Sequence, residues 1–332
     1  MQMVTFPALD DERSAAVRQA AEIEVVVCAT EAEAVAAIGT AQSFFGKMTP
    51  AILAAARQLR WVQSPTASLE HYLFPDLIEH PCTLTNMRGL FSDVIADQVM
   101  GYVICFSRNL HTYIRNQTSC HWAPQGGEQE RVDFAMGPGH ISAIDIAHPC
   151  LSDQTMGIIG LGAIGSEIAR RARAFGMRVV GVDRDVQRNR ESVDDLWEPA
   201  ELNMLLKTSH YVVIAAPHTP ETEGLFDVHR FSAMRDDAYL INIGRGAIVH
   251  LDALVDALDH GKIRGAALDV YEIEPLPKDH PLWRFPNVIL TPHIAGYSPR
   301  IAERHLAVLL ENTRRFAAGE PLQNVVNKRL WH

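Results

Sequence analysis

From about Met156 onward the chain alternates short runs that are apolar on both faces with amphipathic helical patterns, and few folds accept that arrangement. The runs are 155–160 (TMGIIG), 177–182 (MRVVGV), 210–215 (HYVVIA), 238–243 (AYLINI), 265–270 (GAALDV) and 287–291 (NVILT). Such runs suit the strands of a parallel sheet covered by helices on each side. Between the first two, Ile164, Ile168, Ala172 and Phe175 share one helical face. Strand and helix in alternation predict a doubly wound α/β domain.

The first hundred residues repeat the theme more weakly. Residues 22–29 (EIEVVVCA) and 61–63 read as strands and 51–59 as a helix. A long helical pattern begins near Ser92 and passes through Val94, Ile95, Val99, Val103 and Ile104 to about Arg115. Its spacing suits a helix packed between two domains and a buried helix of one domain equally well. Residues 123–150 are rich in Gly, Pro and His and lack periodicity, which predicts a loop-rich insertion or arm. A last helix is predicted over 300–318.

A length of 332 residues corresponds to roughly two domains at about 150 residues each. With 47% hydrophobic and 21% charged residues each domain can bury a core, which excludes a disordered chain, a fibre and a disulfide-stapled scaffold. Thirty Lys and Arg against forty Asp and Glu leave a net charge of -10 with no basic block, a poor basis for binding nucleic acid. That balance does not argue against a small anionic substrate, which needs one local cation. The five cysteines (Cys28, Cys82, Cys105, Cys120, Cys150) show no CxxC spacing and read as reduced thiols, with no metal site. Asp10, Asp11, Glu12 and Arg13 stand where a signal peptide needs an apolar run, and the longest apolar stretches, 102–106 and 211–217, are too short to span a bilayer. The expectation is a cytoplasmic protein with no membrane or nucleic-acid partner.

The strongest local signal is Gly160-Leu161-Gly162-Ala163-Ile164-Gly165. A lone GxGxxG is weak, but here it follows an apolar strand, opens an amphipathic helix, and is followed by a second strand ending in Asp183, 18 residues after the third glycine. Gly160 permits the tight turn, Gly162 lets a pyrophosphate approach the backbone, and Gly165 allows close helix–strand packing. The helix N-terminus adds amide donors and positive potential. The Asp183 carboxylate can accept from both hydroxyls of an adenosine ribose and would repel a 2′-phosphate, which favours NAD(H), while Arg184 beside it leaves NADP(H) open. The alternative is a structural glycine-rich turn. No GxxxxGK[ST] is present to support phosphoryl transfer.

Open α/β sheets place their sites at the carboxyl ends of strands. Arg245 follows the run 238–243, Glu274 follows 265–270 and His293 follows 287–291. One cation, one acid and one imidazole suit hydride transfer at the oxygen-bearing carbon of a small carboxylic acid: Arg245 anchors the carboxylate with its planar fork, His293 passes the proton, and Glu274 orients the imidazole and favours its protonated form. Taken singly, each has an ordinary explanation, as a surface ion-pair partner, a solvated loop acid and a hydrogen-bonded structural histidine. As an ordered trio behind a dinucleotide fingerprint they carry more weight.

In these segments the sequence resembles the D-isomer-specific 2-hydroxyacid dehydrogenases. The resemblance lies in 155–165 (TMGIIGLGAIG), 241–249 (INIGRGAIV), 267–275 (ALDVYEIEP) and 291–296 (TPHIAG), with 217–222 (PHTPET), 280–283 (HPLW) and 319–326 (GEPLQNVV) similar as well. It is specific over about 151–326 and looser before that. It implies a catalytic trio of Arg245, Glu274 and His293, in which the imidazolium protonates the 2-oxo group as NADH delivers hydride to the carbon. Ala163, Ile164, Asp183, Pro217, Ile243, Gly244 and Gly296 would line the cofactor, with Asp269 near its nicotinamide end. The implied fold is α/β with two doubly wound parallel-sheet domains, a Rossmann nucleotide domain (111–299) inserted in a flavodoxin-like substrate domain (1–110 plus 300–332), with the catalytic cleft between them and a homodimer as the assembly.

Departures from the family pattern bear on the substrate. The loop expected to hold the carboxylate through glycine-rich backbone is Ser64-Pro65-Thr66-Ala67-Ser68, which has no glycine and less backbone freedom. Ser64, Ala67 and Ser68 are its candidate contacts. Asn86-Met87-Arg88-Gly89-Leu90 is expected to form the opposite wall, where Arg88 is either a recogniser of a second anionic group or a solvated helix-entry residue, with Gly89 beside it. Gln98 stands where a histidine is common in the family. The leading reading is a 2-oxoacid reductase, with glyoxylate or hydroxypyruvate as the first-choice substrate by resemblance alone. A formate dehydrogenase is disfavoured by Glu274, where those relatives carry Gln, and a phosphoglycerate dehydrogenase with a regulatory domain by the absence of residues after 332. From a different class, the same fold can serve as an NADH-sensing corepressor that binds proteins. A methyltransferase using the glycine loop would leave the three strand-end residues unexplained.

Overall fold

In the computed structural model, residues 1–69, 72–131, 139–187 and 189–329 are described. The chain divides into two compact units: Met1–Phe91 with Ser298–His332, and Ser92–Tyr297.

The first unit holds five strands, β1 (Gln2–Phe6), β2 (Glu24–Val27), β3 (Ser43–Gly46), β4 (Trp61–Gln63) and β5 (Thr83–Thr85). They are all parallel, in the order β2-β1-β3-β4-β5, which is the flavodoxin-like order. Successive residues of a strand face opposite ways, and the sequence supplies apolar residues for both faces. Val4, Phe44 and Val62 pack with Ala34, Ile52 and Leu77, from three short helices. Met3, Phe45 and Trp61 pack with Val17 of the helix Asp11–Ala21 and Leu309 of the helix Arg300–Ala318. That last helix is therefore part of this unit, and the segment after it returns to β5, where Val325 bridges Thr85. A buried polar chain ties the two ends of the sequence together: Trp61 Nε1 donates to Thr85 Oγ1 (2.9 Å), Thr85 Oγ1 to Gln63 Oε1 (2.8 Å), and Asn312 Nδ2 to the same Gln63 oxygen (2.9 Å).

The second unit holds β6 (Thr155–Ile159), β7 (Arg178–Val182), β8 (Asp195–Trp197), β9 (Tyr211–Ile214), β10 (Tyr239–Asn242), β11 (Gly265–Leu268) and β12 (Val288–Leu290). Their order is β12-β11-β10-β9-β6-β7-β8, again all parallel. Counted from β6 this is the Rossmann order with one strand added. Neighbouring residues once more feed opposite layers: Ile159, Val212, Leu240 and Ala266 lie in one, and Ile158, Val213, Ile241 and Ala267 in the other.

Two expectations are corrected. The pattern from Ser92 to Arg115 is two helices, Ser92–Ser107 and Leu110–Thr118, because Asn109 adopts a left-handed backbone (φ 52°) and donates its side-chain amide to the Ala147 carbonyl. The first of them belongs to the second unit by compactness, so the division falls after Phe91 rather than near 110; its Ala96, Val99 and Val103 pack with Met156, Ile168 and Ala172. In the expected arm, the helix Ala143–Ala147 opens on a reciprocal Ser142–Asp145 cap, while part of 123–150 lies outside the described residues.

Candidate active site

The glycine loop leads from β6 into the helix Ala163–Ala174. Gly160 has φ 92°, and a Cβ there would lie 2.9 Å from the Ala216 backbone; at Gly165 it would lie 1.9 Å from the Gly160 carbonyl oxygen. These two glycines let the loop, the helix and the end of β9 close on one another. Gly162 differs, since a Cβ built on it meets nothing within 4 Å. It opens the helix, whose first-turn amides (Ala163, Ile164, Gly165) have no acceptor within an α-helix and favour an anion.

The loop is held by residues beyond β7. Asp183 Oδ2 accepts from Leu161 N (2.6 Å) and Oδ1 from Asp185 N (2.9 Å), and Asn189 Nδ2 donates to the Leu161 carbonyl (2.6 Å). Both backbone polar groups of Leu161, in two successive peptide groups of the loop, are thus gripped. Sequence reading found Asp183 but not Asn189, whose sign is a left-handed residue (φ 52°) that spacing alone does not reveal. Arg184 is exposed. Arg190, the next described arginine, donates to the carbonyls of Val193 and Asp194.

β6 and β9 are neighbours, and the chain runs outward from them in opposite directions, which creates a crevice at the strand ends. At the end of β9, Pro217 is exposed and its carbonyl accepts from Thr222 Oγ1. Beyond β10, Ile243 is buried, and a Cβ on Gly244 would lie 2.8 Å from the Ala216 carbonyl oxygen. The glycine loop and the ends of β9 and β10 therefore sit side by side. Together, the open space over Gly162, the helix N-terminus and the Asp183 carboxylate at the end of β7 fit a dinucleotide.

The next residues along this edge carry the trio. Buried Asn242 shapes the turn after β10: its Oδ1 accepts from Gly244 N (3.1 Å) and its Nδ2 donates to the Arg245 carbonyl (3.0 Å). Arg245 is half-buried, with Nη1 donating to the Gly244 carbonyl (2.7 Å). At Gly246 a Cβ would lie 1.8 Å from the Tyr271 carbonyl oxygen, so the absence of a side chain lets the Arg245 turn lie against the segment leading to Glu274. Glu274 accepts from Tyr271 N (3.0 Å) through Oε1 and faces His293 Nδ1 (2.8 Å) through Oε2. A carboxylate only accepts, so Nδ1 is the donor and Nε2 is left to give or take a proton.

His293 has φ 54° and lies on a loop anchored from below. Asp269 is 2% exposed, and its carboxylate accepts from Thr291 Oγ1 (2.6 Å), Ile294 N (2.9 Å) and Ala295 N (2.9 Å). The Tyr271 hydroxyl lies 3.0 Å from the Leu268 carbonyl and 2.9 Å from that of Thr291. Asp269 thus meets the site through the loop it holds. Gly296 is half-buried in the turn that closes this loop.

The remaining candidates lie in the first unit. Met87 N donates to the Thr66 carbonyl (3.0 Å) and Asn86 Nδ2 to that of Ala67 (2.7 Å), so 64–68 and 86–90 are paired. Ser64 is buried and its hydroxyl lies 3.2 Å from that of Thr66; Ala67 and Ser68 are half-buried, and Arg88 and Gly89 are exposed. Among the described residues no group of His, Cys, Asp and Glu could hold a metal ion, and no helix is long and apolar enough to cross a membrane.

Residues 100–295 match the family model described as the NAD binding domain of D-isomer-specific 2-hydroxyacid dehydrogenases. The chain belongs to the D-isomer-specific 2-hydroxyacid dehydrogenase family. It is 31% identical over 284 residues to a glyoxylate reductase of Thermofilum pendens, covering 86% of this chain and 79% of that one. A family structure from Xanthobacter autotrophicus Py2, in complex with NADPH and MES, superposes with TM-score 0.80 at 26% identity over 100% of this chain and 99% of that one. The NADPH-dependent glyoxylate/hydroxypyruvate reductase of Sinorhizobium meliloti, in complex with NADP and sulfate, gives 0.78 at 25% identity, also over 100% and 99%. Members of this family are oxidoreductases acting on 2-hydroxy acids, and the corepressor alternative is not favoured.

Proposed function

We propose that this 2-hydroxyacid dehydrogenase homologue works as an NAD(H)-dependent 2-oxoacid reductase on glyoxylate, hydroxypyruvate or a similarly small acid. The observation that supports it most is the hydrogen bond between His293 and Glu274 (2.8 Å) on a loop anchored beside the glycine-loop crevice. When bound, a reduced dinucleotide would supply the hydride for the 2-oxo carbon. Gly160, Gly162, Ala163, Ile164 and Gly165 would hold its pyrophosphate, Asp183 the adenosine ribose, and Pro217, Ile243, Gly244 and Gly296 the remaining wall. Arg245 pairs the substrate carboxylate and orients the carbon. His293 gives its Nε2 proton to the oxo oxygen, and Glu274 balances the imidazolium charge and fixes the ring. The reverse reaction starts from neutral His293. We assign substrate contacts in the first unit to Ser64, Ala67, Ser68, Arg88 and Gly89.

The choice of NAD(H) rests on Asp183, whose negative charge stands where a 2′-phosphate would go, and on Arg190 being engaged by carbonyls. The relatives with NADP(H) make this the point most worth testing. Oxidation of NADH and NADPH against a panel of 2-oxoacids is the direct assay. Turnover of glyoxylate or hydroxypyruvate with NADH is expected; tight NADH binding with no turnover of any acid would leave the reductase reading without support.

We also propose a homodimer through residues 110–131 and 139–147. Leu110, Ile114, Trp122 (83% exposed), Ile141 and Ile146 present apolar side chains there, which a second copy would cover. Sedimentation at twice the chain mass is expected, and a monomer at micromolar concentration would refute it.

A further inference from the structure

We propose that Tyr102, on the helix Ser92–Ser107, is a positioning residue for the loop that carries His293, which it holds through Thr291 and Asp269. Thr291 Oγ1 lies 2.5 Å from the Tyr102 hydroxyl and 2.6 Å from Asp269 Oδ1. The carboxylate only accepts, so Thr291 gives its single proton to Asp269, and Tyr102 must donate to Thr291. Gln98 lies one turn back on the same helical face and hydrogen-bonds the Tyr102 hydroxyl. With the phenolic proton already committed, Gln98 donates through its amide. Four groups therefore form one directed chain, Gln98 to Tyr102 to Thr291 to Asp269.

The chain ends where the chemistry begins. Asp269 also accepts from the amides of Ile294 and Ala295, the two residues that follow His293. Along its length the helix is seated in the core by Ala96, Val99 and Val103, and Tyr102 itself is 3% exposed. Part-buried chains of this kind are strong while complete, and a missing member leaves a partner unsatisfied. Burial pushes the Tyr102 phenol above its ordinary value, which keeps the donor protonated. The arrangement also gives a definite role to Gln98, since an amide donates at any pH.

The effect on turnover rests on the reductase reading, whereas the effect on the loop does not. The test compares the full-length chain with Tyr102→Phe, Thr291→Val and the conservative Thr291→Ser. It measures amide hydrogen exchange at Ile294 and Ala295, dinucleotide affinity by fluorescence titration, and kcat and KM on glyoxylate. Loss of one such bond corresponds to about a tenfold effect. Tyr102→Phe and Thr291→Val are expected to speed exchange at those two amides about tenfold and to lower kcat by a similar factor, with dinucleotide affinity unchanged. Thr291→Ser is expected to restore both. Unchanged exchange in Tyr102→Phe overturns the proposal, as does acceleration spread evenly over the whole chain, which would mean a general structural role. A wild-type chain inert on every 2-oxoacid sinks the reductase reading instead, and exchange at Ile294 and Ala295 then still decides the role of Tyr102.

Discussion

Replacing His293 with alanine is expected to lower kcat by roughly 10²- to 10⁴-fold, the usual contribution of a positioned general acid. The ring is the group placed to carry the proton: Nδ1 is committed to Glu274 at 2.8 Å, and half of its side chain is exposed. Binding of the dinucleotide should hardly change, because the glycine loop is held by Asp183 and Asn189, neither of which depends on the imidazole. The fold should persist as well, since Asp269 grips the loop through Thr291 and the Ile294 and Ala295 amides rather than through the histidine ring. Steady-state kinetics beside a fluorescence titration of NADH give both quantities. A variant keeping a tenth or more of the wild-type kcat would remove His293 from the acid/base role.

The second large effect concerns the choice between dinucleotides. Asp183→Asn keeps an oxygen that can accept from Leu161 N, the 2.6 Å bond that fixes the loop, while removing the negative charge. A hydrogen bond to a charged group is worth about 1.5–3 kcal/mol, so NAD(H) affinity should fall by about tenfold or more as the ribose hydroxyls lose that partner. NADP(H) should bind better, because a 2′-phosphate no longer meets a carboxylate and has exposed Arg184 beside it. Asp183→Ala would be a poorer probe, since it also frees the Leu161 peptide. Ratios of kcat/KM for NADH and NADPH in the two proteins measure the effect, and an unchanged ratio would show that Asp183 does not set the preference.

The sheet of the second unit is legible in the sequence because its central strands are buried on both faces and read as continuous apolar runs. All six runs correspond to strands. The seventh, β8, is three half-buried residues (DLW) at the sheet edge, too short to establish a period. In the first unit β1, β3 and β5 pass unnoticed for a related reason: they have five, four and three residues, and tertiary packing rather than local pattern makes them strands. The break at Asn109 is invisible because apolar spacing continues across it, and only a left-handed residue bonded to distant Ala147 interrupts the helix. At the site, the sequence names Arg245, Glu274 and His293 because each follows a strand. It is silent on Asn189 and Tyr102, whose partners lie 28 and 189 residues away. Nor does the sequence reveal that the Asp269 carboxylate accepts from Thr291, Ile294 and Ala295, on the loop that bears the histidine.

The return of the chain's last segment to the first unit has a consequence for the order of folding. Gln63 and Asn312 are 249 residues apart, yet share a buried bond, and Val326 N donates to the Leu84 carbonyl. During synthesis, strands β1 to β5 emerge first but cannot complete their core until the helix Arg300–Ala318 follows. The second unit is continuous, and all its strands emerge before that helix. It is thus positioned to fold early and to shorten the effective loop that the first unit must close. The early-made half of the flavodoxin-like unit is the part left waiting, with the apolar face that Leu309 covers open until that helix arrives.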